Sequence, residues 1–117
     1  INITCEFDII VLPNFNNNEV ILNCINTLTE YFNIDNWNIN QPILLKSLSI
    51  LIDKVEGVQT VTNVLIKNVA GTSKGYSDYS YDIAAATNNG IVYPSVDPMI
   101  FELKFPSSDI VGRVVPL

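Results

Sequence analysis

The stretch that decides the fold runs from Asn16 to Phe32 and reads NNNEVILNCINTLTEYF. Its large apolar residues recur at spacings of four, three and four: Ile21, Ile25, Leu28 and Phe32. This spacing predicts one buried face of an amphipathic helix. Asn16 and Glu19 are separated as in a capping box, which predicts that the helix begins at Asn16. A helix this one-sided needs a surface to cover, which the rest of the chain must supply.

A second stripe with the same spacing follows: Leu44, Leu48, Leu51 and Val55. It predicts a helix over residues 44–55. Gly57 comes directly after it, where a helix C-terminus commonly needs a left-handed conformation. Between the two predicted helices lies Trp37. We interpret it as a plug at the end of the core rather than as a ligand-stacking residue.

Three other stretches have sequence patterns that are typical of β-strands. Residues 2–12 begin with strict alternation of apolar and polar side chains, which predicts a half-buried strand. Residues 58–69 are rich in β-branched side chains and predict a second strand. Residues 99–105 alternate again and predict the third. The tail after residue 105 has apolar residues but no obvious register.

Residues 70–90 are the least regular part of the chain. Two structures are open for their second half: a short helix over residues 82–87, or a hairpin that turns at Asn89-Gly90. A connection this long in a small domain is usually functional or mobile.

The predicted order is therefore strand, helix, helix, strand, irregular segment, strand. We expect an α+β fold in which a small, three-stranded, mainly antiparallel sheet has both helices packed on one face. The 117 residues suit a single domain spanning 1–117. Because the chain lacks an initiator Met, we expect it to be a fragment of a longer protein, or a processed chain.

Composition narrows the classes of function. Six basic residues against twelve acidic ones give a net charge of −6, which disfavours nucleic-acid binding because the surface would repel phosphates. No apolar run reaches the roughly 18 residues of a membrane helix, so we expect no membrane contact. Histidine is absent, which removes the commonest general base and metal ligand. We therefore predict no enzyme activity, no metal and no cofactor.

The remaining reactive residues have simple interpretations. Cys5 and Cys24 are separate thiols, which we interpret as small core residues. Asp78 and Asp82, with Asp97 downstream, match no calcium-loop spacing, so we interpret them as solvated loop residues.

Two candidate contact surfaces remain. Tyr76, Tyr79 and Tyr81 lie close together in sequence and form either a recognition surface or a cluster packed on the sheet edge. The second face of the sheet carries five apolar residues that we predict to form one patch: Ile10, Leu12, Val61, Leu65 and Ile100. Such a patch marks either a partner interface or a surface that residues 70–98 cover.

Two sets of short motifs resemble a known family. The first resembles the C-terminal region of baseplate J-type proteins of contractile-tailed phages: Tyr31-Phe32, Trp37, Pro42-Ile43, Leu48 to Ile52 and Glu56-Gly57-Val58. The second is similar to the end of the large baseplate wedge protein of T-even-like phages: Tyr81-Asp82-Ile83, Gly90 to Pro94, Asp97 to Glu102 and Asp109 to Arg113.

This resemblance implies a structural role without catalysis, in the baseplate of a phage tail assembled in the host cytoplasm. It implies partners as well: copies of the chain itself, as a homodimer or larger homo-oligomer, and other baseplate wedge proteins. Family members are several times longer and the resemblance is to their C-terminal region, which implies that this chain is a C-terminal fragment. A different class of function stays open, namely a peptide- or protein-binding module of a larger host protein that uses an edge strand or the tyrosine segment.

Overall fold

The structure is a computed structural model that describes residues 1–95 and 98–116. Its elements in chain order are β1 (Asn2–Val11), α1 (Asn17–Tyr31), β2 (Ile43–Leu44), α2 (Leu45–Asp53), β3 (Val58–Val69), α3 (Ile83–Ala86), β4 (Thr87–Asn88), β5 (Ile91–Val92), α4 (Pro106–Asp109) and β6 (Ile110–Val114). Single 3-10 turns lie at Ile34–Asn36 and Thr72–Lys74. No helix among the described residues is long and apolar enough to cross a membrane.

The first helix forms where its sequence pattern predicts it. The side-chain oxygen of Asn16 accepts a hydrogen bond of 3.0 Å from the backbone N–H of Glu19, so Asn16 caps the helix. Val20, Cys24 and Leu28 are buried along one side. On the second helix Leu48 is fully buried, as its stripe predicts, and so is neighbouring Ile52. Leu51 and Val55 of the stripe are half-buried, and Leu44 is 40% exposed because it lies in β2 before the helix begins.

The main sheet has the order β3-β1-β6, with β1 antiparallel to β3 and parallel to β6. The odd-numbered side chains of β1 are fully buried: Ile3, Cys5, Phe7 and Ile9. Helix α1 packs against β6, α2 packs against β3, and the two helices contact each other. Both helices therefore cover the same face of the sheet, and the predicted α+β fold is confirmed.

The third strand of this sheet is not the predicted one. Residues 99–105 contribute only an isolated bridge between Asn2 and Glu102, whereas the tail forms β6. The reason is competition for one edge of β1, since β3 occupies the other edge and β6 pairs with Cys5 to Ile9. The alternation in residues 99–105 instead reflects burial of Phe101 and Leu103 in the core.

A second, smaller sheet resolves the ambiguity in residues 82–92. Its order is β2-β5-β4, and Asn89-Gly90 forms the turn between β4 and β5. Both turn residues have positive φ, 53° and 77°, as a type I′ hairpin turn requires. The short helix α3 immediately precedes this hairpin. The segment therefore contains both predicted alternatives, first the helix and then the hairpin.

Trp37 closes one end of the core, as predicted. Its ring stacks on Phe32 at a centroid distance of 5.7 Å, and its indole N–H donates to the carbonyl of Tyr31 at 3.0 Å. The interpretation of the two thiols is confirmed as well, because Cys5 and Cys24 are both free and fully buried.

Candidate functional site

The candidate site is the face of the main sheet opposite the two helices. We call it the open face and define it by the side chains that the register places there: Thr4, Glu6, Asp8, Ile10, Thr60, Asn63, Leu65, Lys67, Val111 and Arg113. Each of these residues is half-buried or exposed. No helix or strand of the described residues covers this part of the sheet.

The centre of the open face is a network of charges. Glu6 accepts from Lys67 on β3 at 3.0 Å and lies 3.8 Å from Arg113 on β6. The Arg113 Nε–H also donates to Asp8 at 2.9 Å. These pairs cross all three strands, so they hold the charged heads at fixed places above the sheet. The side chains of Lys67 and Arg113 are 57% and 52% exposed, whereas those of Glu6 and Asp8 are 21% and 20% exposed. Solvent at the two cations therefore screens the pairs and limits what they add to stability.

Apolar side chains flank this network. Leu65 and Val111 lie on either side of Glu6 in the register and are 41% and 40% exposed. Ile10 is half-buried at the far end of β1, and Leu12, just beyond the strand, is 38% exposed. The open face therefore offers two exposed aliphatic side chains around a cluster whose two positive and two negative charges balance.

The predicted five-residue patch is wrong in two of its members. The register shifts between Asp8↔Asn63 and Ile9↔Val61, so β3 has one extra residue, Thr62, at this bulge. The extra residue turns Val61 to the helix side, where it packs on the core. Ile100 also packs on the core. Ile10, Leu12 and Leu65 stay on or beside the open face, and their role in partner contact stays a prediction.

One end of the open face is covered by the chain itself. The side-chain oxygen of Asn2 accepts from the backbone N–H of Ser77 at 2.7 Å, and Asn2 is only 3% exposed. Asp109, the last residue of α4, is 5% exposed and accepts from the Tyr76 hydroxyl. Part of the segment 70–98 thus folds over the Asn2 end, and the Glu6 to Ile10 end remains uncovered.

The three tyrosines divide between two places: Tyr79 and Tyr81 line one cleft, whereas Tyr76 packs against Phe105 and bonds to Asp109. The Tyr76 hydroxyl donates to Asp109 at 2.7 Å, and this bond raises the pKa of Tyr76. Its ring packs edge-on against Phe105 at 5.3 Å. The Tyr81 hydroxyl donates to the carbonyl of Tyr93 at 2.7 Å. Tyr79 alone is strongly exposed, at 77%, and it borders a cleft of about 460 Å³ together with Met99 and Ile100.

The aspartates of the irregular segment have local structural roles. Asp78 accepts from the backbone N–H of Thr72, and Asp82 caps α3 by accepting from Ala85, each at 3.0 Å. Asp97 lies outside the described residues. Within residues 1–95 and 98–116, no group of three His, Cys, Asp or Glu side chains is placed to hold a metal ion.

The sequence patterns did not place Val111 and Arg113 of β6 on the open face. Gly112, which lies between them, could have indicated that this part of the tail packs on the sheet. A Cβ at Gly112 would lie 3.0 Å from Ile21 and even closer to Phe7, so a glycine in an otherwise β-branched tail indicates close packing over a large core residue.

The motifs that carry the family resemblance occupy structural positions. Gly57 has a φ of 96°, and a Cβ there would lie 2.7 Å from Phe15 and Val20. The run from Asp109 to Arg113 contains four of the five β6 residues that pair with β1, Ile110 to Arg113. In comparisons with known proteins, no family of known sequences matches this chain, and no curated protein matches it.

Proposed function

We propose that this chain is a structural domain of a baseplate wedge protein in a contractile phage tail. In this role it joins copies of itself and neighbouring wedge proteins during tail assembly, and it acts without catalysis, cofactor, nucleic acid or membrane. Its place is the virion, in a baseplate that is assembled in the host cytoplasm. The resemblance of its motifs to baseplate J-type and T-even wedge proteins supports this proposal.

The observation that carries the proposal is the open face. A three-stranded sheet with helices on one side has a second side that must meet water, another segment or a partner. Here that side combines exposed Leu65 and Val111 with a charge cluster whose members pair with each other. A partner can bury such a surface without leaving an unpaired charge behind, which is the costly outcome at an interface.

We predict that Leu65→Asp abolishes assembly and leaves the fold intact. The new carboxylate would lie beside Glu6 at the centre of the open face, so a docked partner would bury an unpaired charge. In the free chain Leu65 is 41% exposed, so its loss costs little there. Sedimentation velocity of the purified chain, alone and with neighbouring wedge proteins, measures the loss of association, and thermal melting followed by circular dichroism measures the fold.

The matched control is Leu44→Asp. Leu44 is 40% exposed but belongs to β2 in the smaller sheet, away from the open face. It directly precedes α2, where an aspartate is a favoured capping residue. We expect Leu44→Asp to assemble like the wild type. If Leu65→Asp also assembles normally, the open face is not the contact, and if it unfolds, Leu65 belongs to the core.

A second candidate is a peptide-binding module of a larger host protein. The cleft beside Tyr79 favours it, since it combines an exposed aromatic ring with apolar walls from Met99 and Ile100. A chain that stays monomeric at high concentration, and does not bind wedge proteins, would favour this candidate over the first.

A further inference from the structure

Helix α2 presents a basic stripe to solvent. Lys46, Ile50 and Lys54 follow one another at intervals of four residues, on the side of the helix opposite buried Leu48 and Ile52. Ile50 is 44% exposed although it is a large aliphatic residue. Neither lysine forms an ion pair within residues 1–95 and 98–116, unlike Lys67 and Arg113 on the open face, although exposed Asp53 lines the same shallow concavity as both lysines. We call these three residues the basic stripe.

Helix α1 presents a stripe of the opposite charge. Its most exposed side carries Glu19, Leu22, Asn26 and Glu30, which we call the acidic stripe. Leu22 is 55% exposed, so this stripe also has an aliphatic residue between charges. Neither glutamate pairs with a lysine or arginine of the described residues.

Within the described residues no ion pair joins the two stripes of one molecule. The helices lie side by side on the same face of the sheet, and Asn26 and Glu30 border the groove between them together with Leu51 of α2. We propose that the basic stripe of one copy docks against the acidic stripe of a second copy, so that Ile50 packs near Leu22 and the lysines meet the glutamates.

The dimensions of the two stripes are compatible. At a rise of 1.5 Å per residue, Lys46 and Lys54 are about 12 Å apart along α2, and Glu19 and Glu30 are about 16 Å apart along α1. The difference of about 4 Å is smaller than the length of a lysine side chain, which can reach along the partner helix.

Charge explains why the second copy is the occupant. The chain has a net charge of −6, so most of its surface repels another copy. The basic stripe contains two of the chain's six basic residues, and neither forms an ion pair with another of the described residues. Docking on the acidic stripe neutralises charge on both sides and buries Ile50 and Leu22 together.

This contact is heterologous, because two different surfaces meet. Each copy that uses its basic stripe keeps its acidic stripe free, so the contact builds a closed ring or an open chain rather than a dimer. It uses the helices and not the open face, so the charge variants below test it separately from Leu65→Asp, which tests the open face.

The test is a charge exchange between copies. One double variant, K46E/K54E, makes both stripes acidic, and the other, E19K/E30K, makes both basic. Each variant alone should associate at least tenfold more weakly than the wild type in sedimentation velocity at about 50 mM salt, because like charges meet. An equimolar mixture should recover association, since each acidic stripe then finds a basic one. Both variants stay acidic overall, so net attraction between them does not explain a recovery.

Three controls complete the test. Lys74→Glu alters a lysine outside both stripes and should associate like the wild type. The single variant E30K leaves the first turn of α1 unaltered, so it replaces E19K/E30K if that variant fails to fold. Salt at about 0.5 M should weaken wild-type association because it screens the exposed charges. A wild type that stays monomeric, or a mixture that does not associate, would overturn the proposal.

Discussion

Replacing Gly112 by valine is expected to destabilise the protein by about 3 kcal/mol or more, because the buried face of the sheet has no space for a side chain there. Gly112 pairs with Phe7 across β6 and β1. A Cβ at this position would lie 2.6 Å from Phe7 Cε2 and 3.0 Å from Ile21 Cδ1. The fully buried ring of Phe7 is enclosed by β6 and α1, so neither the ring nor the strand can move without loss of packing.

Urea unfolding of Gly112→Val measures this effect. The matched control is Val111→Ala in the same strand, whose side chain is 40% exposed on the open face. We expect the control to change the free energy of unfolding by less than about 1 kcal/mol. A Gly112→Val variant as stable as the control would mean that β6 does not pack on Phe7.

Truncation of Leu28 to alanine is expected to cost about 2–5 kcal/mol, because it leaves a cavity under α1. Leu28 is fully buried among the core residues, next to the contact between helix and sheet. Leu22→Ala in the same helix is the matched control, since Leu22 is 55% exposed and should cost no more than about 0.5 kcal/mol. Thermal unfolding of both variants gives the comparison, and equal losses would show that α1 buries a different face.

The elements with a strong local pattern were predictable from sequence. The four-three-four stripes located both long helices, and the alternation at residues 2–12 located β1, because side-chain period follows directly from helix and strand geometry. Asn16 at the helix start was equally readable, since its capping hydrogen bond is made within the same turn.

The third strand was not predictable in the same way. Residues 99–105 alternate more cleanly than 110–114, yet only the latter form a ladder with β1. The choice between them depends on which segment reaches the free edge of β1 beside Cys5 to Ile9, and that is a tertiary property. Local strand propensity therefore does not determine which of the two segments pairs with β1.

The open face was predictable in part. Leu65 was placed correctly because β3 alternates regularly around it, opposite Glu6. Val61 was placed on the wrong side because a single extra residue at Thr62 reverses the alternation beyond it. The charge cluster was missed, since Arg113 joins Glu6 and Asp8 only through the unpredicted strand β6.

The most direct test of the account uses a cysteine at position 65. The native thiols give little background, because burial raises the pKa of Cys5 to about 12 and that of Cys24 to about 11. The thiolate is the reactive form, and at pH 8 these two thiols are ionised in about one molecule in a thousand or fewer. Alkylation of Leu65→Cys at pH 8, in the free chain and in assembled baseplates, therefore reports on the open face alone. We expect rapid alkylation in the free chain and protection after assembly. Equally rapid alkylation in both would contradict the proposal that a partner covers the open face.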